Sequence, residues 1–253
     1  MSRPHLPTAP ARQVPCENCP LRRLDTFRPF DKEELAFVAA FKKGEFAAEA
    51  RAMILQEGAS SAHLYTILSG WGFRYTLLPD GRRQILNFVL PGDLIGLQAS
   101  VAREMKHSIE ALTGMLLCVF QREELWTLYQ RHPGLAYDIT WLAALEEQML
   151  DRHLLSIGRR TALERMAYLL LHLHHRAYSI GLADKQGFSP PITQHHIADA
   201  LGMSVVHTNK TLKRLYQSKL IRWKNRRLEF LDMEALNEVA HWTEEQDTPR
   251  PLI

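Results

Sequence analysis

Three cysteines have the widest chemical repertoire in this chain: Cys16 and Cys19 in a Cys-Glu-Asn-Cys pair, and Cys118 far downstream. Thiolates at the pair's spacing can hold a soft metal ion or cycle through a disulfide, and where they open a helix after a strand they can catalyse thiol exchange. Three is an odd number and too few to staple a chain of 253 residues, so thiol or metal chemistry in a reducing compartment is expected. The pair lies in a Pro- and Arg-rich stretch, which argues against a thioredoxin-like enzyme. Neither a phosphate-cradling glycine loop nor a serine-histidine-carboxylate set appears in a fitting context. Direct thiol redox sensing, haem at Cys19-Pro20, zinc, and a structural role for a buried Cys118 all remain open. His172, His174 and His175 form a second candidate group. Without a companion carboxylate or cysteine they read as a helix face, not a metal site.

A different chemistry gathers at the other end. Between positions 190 and 231 stand Lys210, Lys213, Arg214, Lys219, Arg222, Lys224, Arg226 and Arg227 against Asp199 and Glu229, a local charge of +6 in a chain whose net charge is +3. Such asymmetry suits contact with a polyanion. Within the window Thr193 caps one short helix, Ala198 and Gly202 sit four apart, and Ser204 caps the next helix, which is helix-turn-helix spacing. Ala198 has to be small where the helices cross, and Gly202 permits a left-handed turn. With Thr208, Leu212 and Leu215 facing inward, Val205, Val206, His207, Asn209, Lys210 and Lys213 are left for base edges in a major groove. Thr193, Gln194, His195 and the Ser204 hydroxyl are placed to meet phosphates. Segments 220–223 and 227–230 read as a hairpin around Lys224-Asn225-Arg226, a basic wing on double-stranded DNA.

Other elements must position these groups. A 46% hydrophobic, 23% charged chain of this length builds one large or two modest domains, and no apolar run or leader pattern points to a membrane or to export, so a cytoplasmic protein is expected. Residues 1–30 read as an arm laid on a later core. A helix over 35–41 starts at Asp31 and stops at Gly44. Short strands follow at 52–55, 63–69, 72–78, 83–90 and 109–120, punctuated by turns such as Pro79-Asp80-Gly81, and together make an antiparallel barrel or roll. From 134 to about 155 the period becomes helical, with Leu135, Ile139, Leu142, Leu145 and Met149 in a stripe that covers its own barrel or pairs with a second chain. Ser156-Ile157-Gly158 interrupts that helix as a hinge, and Thr161 with Glu164 forms a capping box for the next.

In that order these parts resemble the Crp-Fnr superfamily of bacterial transcription regulators, most closely its Fnr-like branch. HLYTILSGWGFRYTLLPDGRRQILNFVLPGDLIG is similar to the cyclic-nucleotide-binding-type roll, and ITQHHIADALGMSVVHTNKTLKRL to the DNA-binding signature. The resemblance implies an α+β chain: an arm (1–30), an antiparallel β-roll sensor (31–132), a long dimerisation helix and hinge (133–158) and a winged helix-turn-helix (159–253). It also implies a homodimer through Leu135, Ile139, Leu142, Leu145 and Met149, a palindromic operator, RNA polymerase as a partner, and control by a redox or gas signal.

Two departures matter. Leu97 and His107-Ser108 stand where cyclic-AMP-binding members carry a Glu and an Arg-Ser pair. Leu cannot accept from a ribose hydroxyl and neutral His is no fork for a phosphate, which argues against cyclic AMP. Val206 and Lys210 replace the family's frequent Glu and Arg base readers. In the Fnr-like branch, arm cysteines and a distant one hold a 4Fe-4S cluster. Here Cys16, Cys19 and Cys118 match, and Asp25 stands where a further cysteine is usual, giving a Cys3Asp ligand set by resemblance. A regulator gated by a cyclic nucleotide or another small ligand is the alternative reading, and a thiol redox enzyme the remote one.

Overall fold

Caps and turns set most element boundaries in the computed structural model, which describes residues 14–243 and 248–253. Residues 1–13 of the expected arm lie outside them. The rest of the arm forms two short 3-10 turns, Cys16–Asn18 and Pro20–Arg23, anchored by the buried side chains of Leu21 and Phe27. Helix α1 (Lys32–Phe41) starts on a full capping box, with the Asp31 carboxylate accepting from Glu33 N and Glu34 N. It stops before Gly44, because Lys42 already opens the first strand.

The roll comprises β1 (Lys42–Ala48), β2 (Met53–Leu55), β3 (His63–Ser69), β4 (Gly72–Leu77), β5 (Arg83–Val89), β6 (Leu94–Ile95), helix α2 (Leu97–Ala102), β7 (Ser108–Ala111) and β8 (Met115–Gln121). Two antiparallel sheets, ordered β1-β8-β3-β6 and β2-β7-β4-β5, enclose Ile67, Ile95, Ile109 and Leu117. The single strand expected at 109–120 is two strands in different sheets. Leu112 N and Thr113 N both bond Trp71 O, at 2.8 and 3.2 Å, and turn the chain between them.

Helices α3 (Leu125–Arg131), α4 (Pro133–Arg159) and α5 (Ala162–Ser179) follow, then β9 (Ala183–Asp184), β10 (Gly187–Phe188), α6 (Gln194–Leu201), α7 (Val205–Gln217), β11 (Ile221–Lys224), β12 (Arg227–Phe230) and α8 (Met233–Ala240). The last four strands form a small sheet, β11-β12-β10-β9. Gly187 is required there, since a Cβ would lie 2.0 Å from the Leu228 carbonyl oxygen.

Two expectations about α4 are corrected. Gly158 does not interrupt it: the helix runs on to Arg159 and ends at Arg160, whose ψ is 143°, because Thr161 caps α5. One helical glycine costs only about 1 kcal/mol, and the buried Ser156 hydroxyl accepts from Arg160 Nη1 at 2.7 Å, which ties the last turn. The stripe is also not a free dimer seam. Leu135, Ile139 and Leu142 are buried with Val38, Phe41, Leu128 and Phe120 of their own chain, and Leu145 and Met149 are half-buried beside the roll. The face left exposed carries Tyr137, Ala144, Leu154 and Leu155.

The largest core cluster joins two units read separately in the sequence. Trp71, Phe73, Ile85 and Phe88 of the roll pack in one continuous body with Met166, Leu170, Ile197, Leu201 and Leu215 of the helical unit. No helix among the described residues is long and apolar enough to cross a membrane.

Candidate functional site

Helix α6 begins at Thr193, whose hydroxyl accepts from His196 N at 3.3 Å while Thr193 N donates to His196 Nδ1 at 3.1 Å. A histidine thus completes the box that Glu usually fills, and its Nδ1 is the acceptor tautomer. Gly202 closes α6 in the left-handed region, φ 60°, and Met203 N bonds Ala198 O at 3.0 Å. Ser204 then accepts from His207 N at 3.2 Å, capping α7 and leaving its hydroxyl proton for an outside acceptor.

On α7, Thr208, Thr211 and Leu215 are sealed inside, and Leu212 is half-buried. Val206, His207, Asn209, Lys210 and Lys213 are exposed and Val205 is half-buried. Thr193, Gln194 and His195 stand exposed at the positive end of α6. The side chains assigned to DNA from the sequence are therefore exposed, apart from the half-buried Val205. A groove of about 900 Å³ runs beside them, lined by Gln194, Asn209, Lys213, Tyr216, Trp223 and Arg226. Tyr216 was missed in the sequence, although it follows Lys213 by three and so shares its face.

The wing is a hairpin with Asn225 and Arg226 both left-handed, φ 52° and 65°. Not all of its charge is free. Arg222 pairs with Glu229, and Arg227 pairs with Asp184 at 2.6 Å, while Lys224 and Arg226 stand exposed at the tip. The helix-turn-helix is also docked on the roll. Arg83 meets Asp199 at 2.8 Å, Gln84 Nε2 donates to Ala200 O at 3.1 Å, and the His196 ring lies 5.4 Å from that of Phe73.

The sequence placed a histidine group on α5. There His174 is buried between Phe188 and Phe230, with Nε2 donating to Asp184 O at 2.8 Å, and burial beside Arg176 holds His172 down at about 3.

The three cysteines do come together. Cys16, Cys19 and Cys118 line one cavity with Arg22, Lys42, Leu252 and Ile253. Its open space is about 20 Å³, enough for one water. Burial pushes the Cys118 thiol up to about 11, against the nearby Lys42 charge, and raises Cys16 as well. Neutral thiols are poor nucleophiles. Asp25 is exposed and does not line the cavity. Among the described residues no three His, Cys, Asp or Glu groups converge as a metal site does. As arranged here, the Cys3Asp set does not fit a 4Fe-4S cluster: the space is too small and one donor faces away.

The nucleotide-type pocket is filled from within. Arg74 Nε donates to His107 Nε2 at 3.1 Å, and Arg74 reaches Glu146 of α4 at 2.8 Å. Burial, then the Arg74 charge, holds His107 down at about 3. Ser108 Oγ already accepts from Glu57 N at 3.0 Å, and Leu97 offers no acceptor. The Arg74 guanidinium beside His107 is thus committed to the protein's own groups. Arg74 is a buried position that sequence reasoning missed, its one signal being a guanidinium within an apolar strand.

Comparison with known proteins agrees with both halves of this geometry. Residues 45–132 match the cyclic nucleotide-binding domain family, and residues 164–239 match the Crp-like helix-turn-helix domain family. The nitrogen fixation regulation protein FixK of Bradyrhizobium diazoefficiens is 30% identical over 207 residues, which cover 79% of this chain and 83% of FixK. The transcriptional activator protein FnrL of Cereibacter sphaeroides is 25% identical over 84% of this chain and 86% of its own length. The structure of FixK2 from Bradyrhizobium japonicum superposes with a TM-score of 0.72 at 26% identity, over 79% of this chain and 98% of that one.

Proposed function

Since the chain belongs to the Crp-Fnr family of DNA-binding transcription regulators, we propose that it works as a cytoplasmic homodimer on a palindromic operator, controlled by a redox or gas signal received at the arm and roll. The observation that carries the DNA-reading half is the two-sidedness of α7: Thr208, Thr211 and Leu215 are buried, and Val206, Asn209, Lys210 and Lys213 are exposed. Two such helices about one duplex turn apart, ~34–36 Å, read two half-sites, and a small rotation of either changes affinity steeply. Dimerisation uses the exposed face of α4, with Tyr137, Ala144, Leu154 and Leu155 at helical spacing. RNA polymerase is the onward partner of the DNA-bound dimer.

The three-thiol cavity is the signal site. Burial raises the Cys16 and Cys118 thiols, the reverse of the activation that a thiol oxidoreductase needs, which disfavours the enzyme reading. A cyclic nucleotide as the signal is disfavoured by the Arg74–His107–Glu146 cluster, and calorimetry with cyclic AMP is expected to show no binding heat. Fluorescence anisotropy with a palindromic promoter fragment and a scrambled duplex tests the DNA reading. Lys210→Ala is expected to cost about 1–3 kcal/mol on the specific site and much less on the scrambled one; equal losses would remove it as a base reader.

A further inference from the structure

The segment 248–253, Thr-Pro-Arg-Pro-Leu-Ile, follows the winged helix-turn-helix in sequence but packs on the sensor. Prolines on both sides of Arg250 rule out helix and favour an extended run. Arg250 pairs in parallel with Phe27: its N donates to Thr26 O at 2.8 Å, and its carbonyl accepts from Arg28 N at 2.9 Å. Its guanidinium reaches Asp93 Oδ1 at 2.9 Å and Pro91 O at 3.0 Å and lies over the Phe27 ring, 4.8 Å from the centroid. Gly92 is fitted to this seat, since a Cβ there would lie 2.3 Å from Phe27 and 2.8 Å from Arg250.

Beyond Arg250 the segment turns apolar. Pro251, Leu252 and Ile253 are buried. Leu252 O accepts from Arg22 Nη2 at 3.0 Å, Ile253 O accepts from the Thr66 hydroxyl, and both side chains wall the cavity of Cys16, Cys19 and Cys118. The same Asp93 accepts from Arg176 Nη2 of α5 at 2.6 Å. One carboxylate therefore joins the roll, the segment and the first helix of the DNA-binding unit. Upstream of the segment, Trp242 rests on Tyr168 and His175 of α5.

We propose that residues 248–253 are a strap over the three-thiol cavity, which makes Cys118 a modification site for soft, thiol-directed electrophiles only when the strap lifts, and that lifting is coupled to the DNA-binding helices through Asp93. This rests on reading the thiols as the signal site. The raised thiols fit a closed resting state, and the two prolines limit the freedom that the strap gains on release, which favours reclosure.

N-ethylmaleimide is the probe. The Cys118 sulfur forms an S–C bond to the maleimide alkene, the C=C π bond breaks, and the thiol proton ends on the adjacent carbon, so nothing is oxidised. In the full chain, pseudo-first-order labelling of Cys118, followed by peptide mass spectrometry, is expected to run roughly tenfold or more faster in Arg250→Ala than in the parent, because reaction tracks the open population. Arg250→Lys, which keeps the charge and loses the fork, is expected in between and serves if the alanine variant does not fold. Equal rates in folded variant and parent overturn the strap. If labelling accelerates but labelled protein binds its operator unchanged, the strap stands and the thiols are not the signal site. If rates are equal yet thiol modification alters operator binding, the strap falls and the signal reading survives.

Discussion

The recognition helix and the thiol cavity hold their chemistry in opposite ways. On α7 the working groups point outward and the fold secures their backs: Thr208 and Leu215 are fully buried, and Asn209 and Lys210 stand in water. At the cavity the reactive groups point inward, Cys118 is raised by burial, and the segment 248–253 covers them. A surface that must meet a large rigid polyanion has to be preformed, because ordering it on binding would cost affinity. A site that reports a small reagent gains from being closed, since its response is then set by an opening equilibrium rather than by collision. The two ends should therefore answer mutation differently, the covered end through stability and the exposed end through affinity.

The largest effect is expected at Asp93. Burial raises its carboxyl, yet Arg176 and Arg250 together hold it below the ordinary carboxylate range. Asp93→Asn leaves two guanidiniums without their anion, an expected loss of about 3–5 kcal/mol. Calorimetry should show Tm lower by roughly 10 °C, and an unchanged Tm would break the picture of the covered end as a clamp. Next comes pH. His107 and His172 are neutral in the fold, with values near 3 against 6.5 when exposed. Their contribution to stability is complete above pH 6.5 and declines as pH falls from 6.5 toward 3, by about 1.4 kcal/mol per unit for each ring. Denaturant melts between pH 7 and 5 are expected to show that slope, and His107→Gln to roughly halve it, leaving the share of His172.

At the exposed end the effects are smaller and of another kind. Ser204→Ala removes the cap of α7, with an expected stability loss of about 1 kcal/mol and weaker operator binding. Anisotropy and melting on one sample check both, and an intact affinity would show that the cap positions no phosphate. Lys224→Ala at the wing tip is the mildest. Stability should stay within about 0.5 kcal/mol, affinity for all duplexes should fall evenly, and the slope of log affinity against log salt should shrink by about 0.9 for each phosphate that the lysine neutralises. A sequence-dependent loss would make Lys224 a reader rather than an anchor.

Legibility in the sequence followed how local the physics is. The box at Thr161, the cap at Ser204 and the left-handed Gly202 are decided within four residues, and the structure has each of them. The outward face of α7 was legible for the same reason, because helical period and one helix crossing fix it. Strand β1 was missed because Lys42, Gly44 and Glu45 carry little strand preference alone; they are strand because β8 is there to pair with, Glu45 opposite Cys118. The partners of Arg74 lie on β7 and α4, and no spacing rule connects them.

By itself the sequence determined the kind of machine this is: a roll, a long helix and a winged helix-turn-helix whose cationic end reads DNA. Patterns of period two and 3.6, caps and charge clustering are written along the chain and survive in any compact form of it. Only the tertiary structure decided which face of α4 stays exposed, that Asp25 lies outside the cavity the three thiols share, and that Leu252 and Ile253 line that cavity. Those outcomes depend on which of several apolar surfaces bury one another. That competition is settled by packing between positions far apart in sequence, where local preference has no say.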